Sequence, residues 1–468
     1  MILRKLFLGF TFIVLSMSLG CATDGYRIQV TVEGIADTET YLAYHFGERQ
    51  YLKDTAQVDS RGHFVFEGSQ RLDPGMYLVV VPGQKYFEII VDDNQQFSIF
   101  TEMDNFVPSM RFENAPDNDA FYEYLRFLQQ QGAAMEPLRQ ELQDESISAE
   151  SREALRAQLA EADQAVKARQ DEYIRRFPNG LFSRVLLAQR EPDVPEAPLR
   201  EDGTPDQNAV YQMYKASYWD NIDFSDDRLL RTPVFHNKLR QYFNRVVLQI
   251  PDTINKEADR IIDMARANED VFKYTIWFIT NNFERSQIMG MDAVFVHMVE
   301  KYYMSGEAFW VEPDNLRRIS ERAMRLKPLL IGEVAPDITM YLPDREPISL
   351  HDIEAEYIVV YFWDSECGHC KRVTPELHQL YERKKEEGFR VFAVNIEADR
   401  NLWLQAVAQY GLEWINVNDP ANRSGFRDKY DIYATPLIFL LDRDKKIMAK
   451  RISVEQVEDI MRRDQDVP

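Results

Sequence analysis

An uninterrupted apolar run, Tyr357–Trp363, constrains the fold of this chain more than any other segment. A strand without polar positions is typical of a parallel sheet that is buried on both faces. The run leads directly into a Cys-Gly-His-Cys motif (Cys367–Cys370) and a helical segment; a further strand is predicted over 389–396, and a turn that leads into a strand over 433–442. Alternating strands and helices of this kind indicate an α/β domain, which we place at 331–468.

The two cysteines of the motif lie where a helix begins, and this position has a chemical consequence. The first turn of a helix has backbone N–H groups without partners and a partial positive charge, both of which stabilise a thiolate. We therefore predict that Cys367 is a nucleophile with a lowered pKa and that Cys370, one turn further, is the resolving thiol. A lone Cys-x-x-Cys can also be half of a zinc site, but a chain with three cysteines cannot supply four thiolates.

Residues 332–468 resemble the thioredoxin-like domains of membrane-tethered, TlpA/ResA-type thiol–disulfide oxidoreductases. The features that carry the resemblance are, in chain order, Gly332–Asp337, Phe362-Trp363, the Cys367–Cys370 motif and Ala434-Thr435-Pro436. The resemblance implies a thioredoxin-like α/β fold and a cis bond between Thr435 and Pro436. It also implies that these two residues bind the substrate backbone and that Trp363 supports the site at the strand end.

Two residues depart from the thioredoxin pattern. Glu366 stands directly before the first cysteine, where thioredoxins usually have Trp, and Tyr361 replaces a buried acid. Tyr361 cannot accept the proton of Cys370 near neutral pH, because the unperturbed pKa of a phenol is about 10. Glu366 either takes that role or raises the pKa of the Cys367 thiol by charge repulsion. His369, when cationic, would stabilise the thiolate and make the disulfide more oxidising, so the direction of electron flow stays open.

The N-terminus has the composition of a secretory signal. Residues 1–20 combine a basic start, an apolar stretch of about ten residues and small residues before Cys21. Ser18–Cys21 resembles the bacterial lipobox, which implies removal of the signal and lipidation of Cys21; ordinary signal-peptidase cleavage is the alternative. Several acyl chains on one cysteine anchor a protein stably. We therefore expect an envelope lipoprotein that faces the periplasm, and Ala22, which stands where a retention signal has Asp, favours the outer membrane.

The region between the signal and the α/β domain divides into segments of different periodicity. An antiparallel β-sandwich is predicted over 21–112, where strand-like runs alternate with turn residues. A helical hairpin follows over 113–190, then a proline-rich linker over 191–208 and a helical domain over 209–330. These regions resemble N-terminal domains of unknown role that precede thioredoxin-like domains in envelope lipoproteins. The fold class is therefore a multidomain α+β chain.

Composition excludes several classes of function. The chain has 468 residues and a formal net charge of -22. A nucleic-acid partner is not expected, because such proteins need clustered Lys and Arg. The sequence has no phosphate-binding glycine loop and no Gly-x-Ser-x-Gly motif, and we expect neither a cofactor nor a metal.

The sequence thus predicts an envelope thiol–disulfide oxidoreductase that acts on protein dithiols and disulfides together with a redox partner. Two alternatives stay open. A thiol peroxidase is the first, because Gly332–Pro336 also resembles the start of peroxiredoxins, although Asp364 stands where their Thr-x-x-Cys motif has Thr. The second is a binding or scaffold lipoprotein in which residues 22–330 recognise a partner and the redox domain is accessory.

Overall fold

The computed structural model describes residues 25–144 and 146–465, so the signal segment 1–20 and Cys21 lie outside the described residues. Within them, no helix combines the length and apolar character needed to cross a bilayer. The described chain divides into two compact units. The first holds the residues up to Pro192 with 220–222 and 228–236, and the second holds 193–219, 223–227 and the residues from Asn237 onward.

The first unit begins with eight strands: β1 (Tyr26–Glu33), β2 (Glu39–Phe46), β3 (Arg49–Gln57), β4 (His63–Gly68), β5 (Gly75–Val81), β6 (Lys85–Val91), β7 (Gln96–Glu102) and β8 (Arg111–Glu113). They form two sheets with the orders β4-β1-β7-β8 and β3-β2-β5-β6. In β1, the alternate residues Ile28, Val30 and Val32 are fully buried. β1 and β7 run parallel, so the first sheet is mixed, which corrects the wholly antiparallel arrangement predicted from the sequence. The parallel pairing is accessible because the long connection through β2–β6 carries the chain back to the end of the sheet at which β1 begins, so that β7 can run in the same direction as β1.

Helices complete this unit and cover a sheet edge: α1 (Phe106–Ser109), α2 (Pro116–Leu142), α3 (Ala149–Arg176) and α4 (Leu181–Gln189). The Asn118 amide accepts from the N–H of Ile90 and donates to its carbonyl, both at 2.8 Å. One turn later, the Tyr122 hydroxyl donates to the Glu88 carbonyl at 2.9 Å. β6 is an edge strand, whose outer backbone groups need partners. Helix α2 therefore supplies, from side chains, the hydrogen bonds that a further strand would make.

The middle of the chain is helical: α5 (Gln207–Ser217), α6 (Pro233–Gln241), α7 (Pro251–Ala265), α8 (Glu269–Glu284), α9 (Asp292–Met298) and α10 (Pro313–Leu326). Two π-helical turns continue α6 and α9, over Tyr242–Val246 and Val299–Tyr303. In α7, Ile254, Ala258 and Ile261 are fully buried. Their spacing of three and four residues places them on one helix face, which forms part of the core of this region.

The C-terminal domain is built on a seven-stranded sheet with the order β10-β9-β13-β12-β11-β14-β15. Its strands are β9 (Thr339–Tyr341), β10 (Pro347–Ser349), β11 (Tyr357–Trp363), β12 (Phe389–Asn395), β13 (Ile415–Asn418), β14 (Leu437–Asp442) and β15 (Ile447–Lys450). Its helices are α11 (Gly368–Lys384), α12 (Arg400–Tyr410), α13 (Phe426–Lys429) and α14 (Val454–Gln465). β12 is parallel to β11 and to β13, whereas β14 is antiparallel to β11.

Strand β11 is buried along its whole length, as its apolar sequence predicts. Its residues alternate between two hydrophobic clusters of the domain: Tyr357, Val359, Tyr361 and Trp363 belong to one, and Ile358, Val360 and Phe362 to the other. A central strand with a core on each face ends at Trp363, four residues before the first cysteine of the motif. The fold therefore places the redox motif at the carboxyl end of its most deeply buried strand.

Candidate active site

Cys367 is the residue that caps the N-terminus of α11. A side chain at this position lies next to backbone N–H groups that have no partner within the helix. The backbone N–H of Cys370 is the largest of the influences that lower the pKa of the Cys367 thiol, and the N–H of His369 acts in the same direction. The half-buried Cys367 is therefore positioned to ionise more readily than an ordinary cysteine.

Cys370 has the opposite environment although it lies only three residues away. It is 1% exposed and belongs to a hydrophobic cluster of the domain. Burial raises the pKa of the Cys370 thiol to about 11. The two sulfurs therefore differ in both accessibility and acidity, as an attacking and a resolving thiol must.

The loop before β14 reaches the first cysteine from a distant part of the sequence. The peptide bond between Thr435 and Pro436 is cis, as the family resemblance implies. The Cys367 Sγ donates to the Thr435 carbonyl at 3.4 Å, across a separation of 68 residues. In addition, a hydrogen bond from the Thr435 side chain contributes to lowering the pKa of Cys367. The structure thus brings together three predicted site residues, Cys367, Cys370 and Thr435.

Behind Cys370 the site has a phenol in place of a carboxylate. Tyr361 is fully buried, and its hydroxyl is 2.9 Å from the Thr374 Oγ1. Burial raises the pKa of Tyr361 well above 10, so its hydroxyl stays protonated at every physiological pH. Trp363 is also buried, and its ring lies parallel to that of Tyr361 at 6.2 Å between centroids. Trp363 therefore acts as packing beneath the motif.

Glu366 and His369, which are also predicted to support the site, are exposed. The Glu366 carboxylate lies 3.8 Å from the Lys371 Nζ, and the Glu366 backbone N–H donates to the Asp364 carboxylate at 2.8 Å. Neither sulfur has a hydrogen bond with Glu366 among the contacts of the described chain. His369 contributes to the site through its backbone N–H.

A polar network at the ends of neighbouring strands was not predicted from the sequence. The Ser365 hydroxyl donates to the Glu397 carboxylate, which also accepts from the Asn395 amide at 3.2 Å. Asn418 then donates to the Asn395 carbonyl at 3.1 Å and to the Glu397 carbonyl at 3.0 Å. This network holds the loop that carries Cys367 against the ends of β12 and β13. The sequence signal for it is an asparagine at the last position of each of these two strands.

Within residues 25–144 and 146–465, no group of three or more His, Cys, Asp or Glu side chains could hold a metal ion.

Comparisons with known proteins match three parts of the chain. Residues 331–450 match the AhpC/TSA family, and residues 26–121 and 152–326 match two domains of unknown function, DUF4369 and DUF5106. The thiol-disulfide oxidoreductase ResA of Bacillus cereus (strain ZK / E33L) is 25% identical over 130 residues, which are 28% of this chain and 74% of that protein. ResA of Bacillus subtilis is 25% identical over 117 residues, which are 25% of this chain and 64% of that protein.

Solved structures show similarity to this chain as well. A domain of a possible thiol-disulfide isomerase from Cytophaga hutchinsonii is 38% identical; the match covers 30% of this chain and 95% of that one, with a TM-score of 0.29. A thioredoxin-like protein from Bacteroides caccae is 19% identical; the match covers 58% of this chain and 98% of that one, with a TM-score of 0.45. Together with the family match and the ResA relatives, the motif and its geometry place the C-terminal domain of this chain in the thioredoxin-like thiol–disulfide oxidoreductases of the AhpC/TSA family.

Proposed function

We propose that this protein is a lipid-anchored thiol–disulfide oxidoreductase of the cell envelope that acts on disulfides of protein substrates. The observation that carries the proposal is the contrast between the two thiols of one helical turn. Cys367 is accessible and has a lowered pKa, whereas Cys370 is buried and has a raised pKa. A thiolate that attacks and a protonated thiol that is held in reserve are the two requirements of disulfide exchange.

In the reducing direction the reaction has two exchanges. The Cys367 thiolate attacks one sulfur of the substrate disulfide, so that a mixed disulfide forms and the other substrate sulfur leaves as a thiolate and takes up a proton. Cys370 then attacks the Cys367 sulfur as its own proton passes to the second departing substrate sulfur. The enzyme ends with a Cys367–Cys370 disulfide, the substrate has gained two electrons, and a reduced partner protein must restore the dithiol. An oxidising reaction runs the same steps backwards.

The remaining site residues have distinct roles in this proposal. Thr435 and Pro436 bind the substrate backbone next to Cys367, which is supported by the contact of the Thr435 carbonyl with the sulfur. Trp363 supports the motif from the core. Glu366 and His369 are exposed beside the motif and set the local charge that an approaching substrate meets.

Trapping of substrates tests the catalytic assignment. A Cys370→Ala variant in the native envelope should accumulate mixed disulfides on Cys367, because the second exchange is removed. A Cys367→Ser variant is the control and should trap nothing. Partners that stay bound after reductant would instead support the scaffold alternative, in which residues 22–330 do the binding.

The reduction potential of the Cys367–Cys370 pair tests the direction. A reduction potential of about -270 mV is typical of a reductase, whereas a potential of about -120 mV would contradict reduction as the main activity.

The AhpC/TSA match gives the peroxidase alternative a specific basis, since it spans the whole motif. Asp364 replaces the threonine of the peroxidatic motif, so we expect slow peroxide consumption by the reduced protein. Rapid consumption that Cys367→Ser abolishes would favour the peroxidase over the oxidoreductase.

Anchoring through Cys21 is the part of the proposal that rests on the N-terminal sequence. Metabolic labelling with a fatty acid should mark the wild-type protein and not a Cys21→Ser variant. Membrane fractionation should find the wild type in the outer membrane. Release of the wild type in a soluble, unlabelled form would contradict the anchor.

A further inference from the structure

The loop that carries Thr435 begins at a buried acidic residue. Asp431 lies four residues before Thr435, is 3% exposed and has a φ of 50°. This left-handed conformation is rare for residues other than glycine, although aspartate tolerates it better than most. Neither carboxylate oxygen of Asp431 has a hydrogen bond within the described structure. The carboxylate therefore depends on nearby positive charge.

Three guanidinium groups supply that charge, and two of them come from the helical region. Arg322 and Arg325 of α10 lie 3.6 and 3.9 Å from the Asp431 Oδ1. Arg451, at the end of β15, lies 3.8 Å from the Oδ2. Because Arg322 and Arg325 are three residues apart on one helix, they face the same side.

The same two arginines also hold a second side chain of the loop, that of Tyr433. Arg322 and Arg325 donate to the Tyr433 hydroxyl at 3.2 and 3.3 Å. The Arg322 guanidinium lies 5.4 Å from the centroid of the Tyr433 ring, within the range of a cation–π contact. Tyr433 is 70% exposed, so packing alone does not fix it. Two residues after Tyr433 comes the Thr435 carbonyl that contacts Cys367.

Polar contacts outside the loop connect Arg322 to α8 and the helical region to the sheet. The Arg322 Nε lies 3.3 Å from a carboxylate oxygen of Glu284 on α8. Nearby, Lys450 at the end of β15 donates to the Asp292 carboxylate and to the Leu329 carbonyl, so that the helical region and the sheet are joined by a second polar contact. Arg322 is thus held between Glu284 of α8 and the loop that it contacts.

We propose that Arg322 and Arg325 are positioning residues for the redox site: through Asp431 and Tyr433, they hold the loop in the conformation that places Thr435 against Cys367. This inference rests on the proposed oxidoreductase function. It gives the helical region, which matches a domain of unknown function, a defined role in the reaction of the C-terminal domain. Without the pair, the buried Asp431 would keep one of its three ion-pair partners, the largely exposed Arg451, together with the more distant charge of Lys450, and the loop would rearrange to hydrate the carboxylate.

A double variant, Arg322→Ala with Arg325→Ala in the full chain, tests the role. Its matched control is Arg317→Ala with Arg318→Ala, which removes two exposed arginines from the same helix. The first measurement is the rate at which iodoacetamide alkylates Cys367 as a function of pH. The displaced Thr435 side chain no longer stabilises the thiolate, so the midpoint of the alkylation profile should shift to higher pH and the alkylation rate at neutral pH should fall.

The second measurement is turnover of a protein disulfide against turnover of a small aromatic disulfide. We expect the KM for the protein substrate to rise several-fold in the double variant. The KM for the small disulfide should change little, because a small disulfide does not bind along the loop. Tyr433→Phe, which removes only an exposed hydroxyl, should shift both measurements in the same direction by less. This variant keeps the test decisive if the double variant fails to fold.

Unchanged alkylation and KM in both variants, or equal changes in the Arg317/Arg318 control, would overturn the positioning role. The alkylation profile needs no substrate, so it separates this inference from the proposed function. A wild type that turns over no disulfide, combined with a shifted profile in the double variant, would refute the proposed function and support the positioning role.

Discussion

At the scale of single residues, the chemistry depends on which groups surround each sulfur. Cys367 lies among backbone N–H groups at a helix end, and Cys370 lies in a hydrophobic cluster. Hydrogen bonds to the charged form lower a thiol's pKa, whereas burial raises it. Similar cysteines three positions apart therefore acquire opposite reactivities.

Selective alkylation should reveal this difference. In the reduced protein, the alkylation rate of Cys367 should rise with pH with a midpoint below the ordinary pKa of a cysteine, because only the thiolate reacts. Cys370, with a pKa of about 11, should stay unmodified at neutral pH. Peptide mass spectrometry after timed iodoacetamide treatment measures both, and Cys367→Ser is the control. Equal labelling of both cysteines at pH 7 would contradict the assigned environments.

The buried phenol behind Cys370 gives a second expectation. Tyr361→Phe removes the partner of the Thr374 hydroxyl and should lower the free energy of unfolding by about 1–3 kcal/mol. The pH profile of turnover should not change, because the Tyr361 hydroxyl stays protonated throughout the working range. Denaturant unfolding and turnover between pH 6 and about 9 give the two measurements.

The double variant Tyr361→Phe with Thr374→Val is the matched control, since it removes both partners of the pair. It should recover much of the lost stability. A pH profile that changes in Tyr361→Phe would instead assign the phenol a part in proton transfer.

At the scale of secondary-structure elements, side chains of α2 supply hydrogen-bond partners for backbone groups of the edge strand β6. Asn118 makes two hydrogen bonds with Ile90 of β6, and Tyr122 makes one with Glu88. Positions 118 and 122 are one helical turn apart, so a single face of α2 covers the strand edge. The contact joins the first helix pair to the sheet and removes an exposed edge on which another chain could pair.

Asn118→Leu tests whether these side-chain hydrogen bonds stabilise the edge strand. The substitution leaves the N–H and the carbonyl of Ile90 buried without partners, at a cost of about 1–3 kcal/mol for each group. Denaturant unfolding should therefore show a clear loss of stability in the first unit. Asn208→Leu, at an exposed position in the first turn of α5, is the control and should change the free energy of unfolding by less than about 0.5 kcal/mol. Equal stability of the two variants would contradict the role of the amide.

At the scale of the whole molecule, the second unit contains both the helical region from Asn237 onward and the redox domain. Lys450 joins them, because its ammonium contacts Asp292 on α9 and the Leu329 carbonyl while its side chain is almost completely buried. Burial is the main influence that lowers the pKa of Lys450, and the Asp292 carboxylate opposes it. The Asp292 carboxylate of the helical region therefore favours the charged form of this lysine.

Lys450→Met should weaken the connection between the two regions. It leaves the mostly buried Asp292 carboxylate without its cation, and we expect a loss of about 1–3 kcal/mol in the free energy of unfolding of the second unit. Adding Asp292→Asn removes the unpaired charge and should restore part of the loss. Chemical denaturation followed by tryptophan fluorescence measures both variants. Stability equal to wild type in Lys450→Met would show that the contact contributes nothing.

How well the sequence predicts a feature depends on how far apart along the chain the interacting residues lie. The buried strand β11 and the helix that starts at the cysteines were predicted, because both depend on residues close together in the chain. Strand β3 was not predicted, since among its residues only Ala56 is buried and no apolar alternation marks it. The parallel pairing of β1 with β7 was missed because local periodicity carries no information about which distant strand becomes a neighbour.

The sequence by itself determined the Cys-Gly-His-Cys motif and its place at a helix N-terminus, and it predicted Cys367 as the attacking thiol, because these follow from contacts within one helical turn. Only the tertiary structure decided that Thr435 contacts Cys367, that a phenol lies behind Cys370, and that two arginines of the helical region hold the loop between Asp431 and Thr435. Arg322 and Tyr433 are 111 residues apart. The physical reason is that electrostatic and hydrogen-bond partners at such separations meet only after the chain has folded, so no local pattern encodes them.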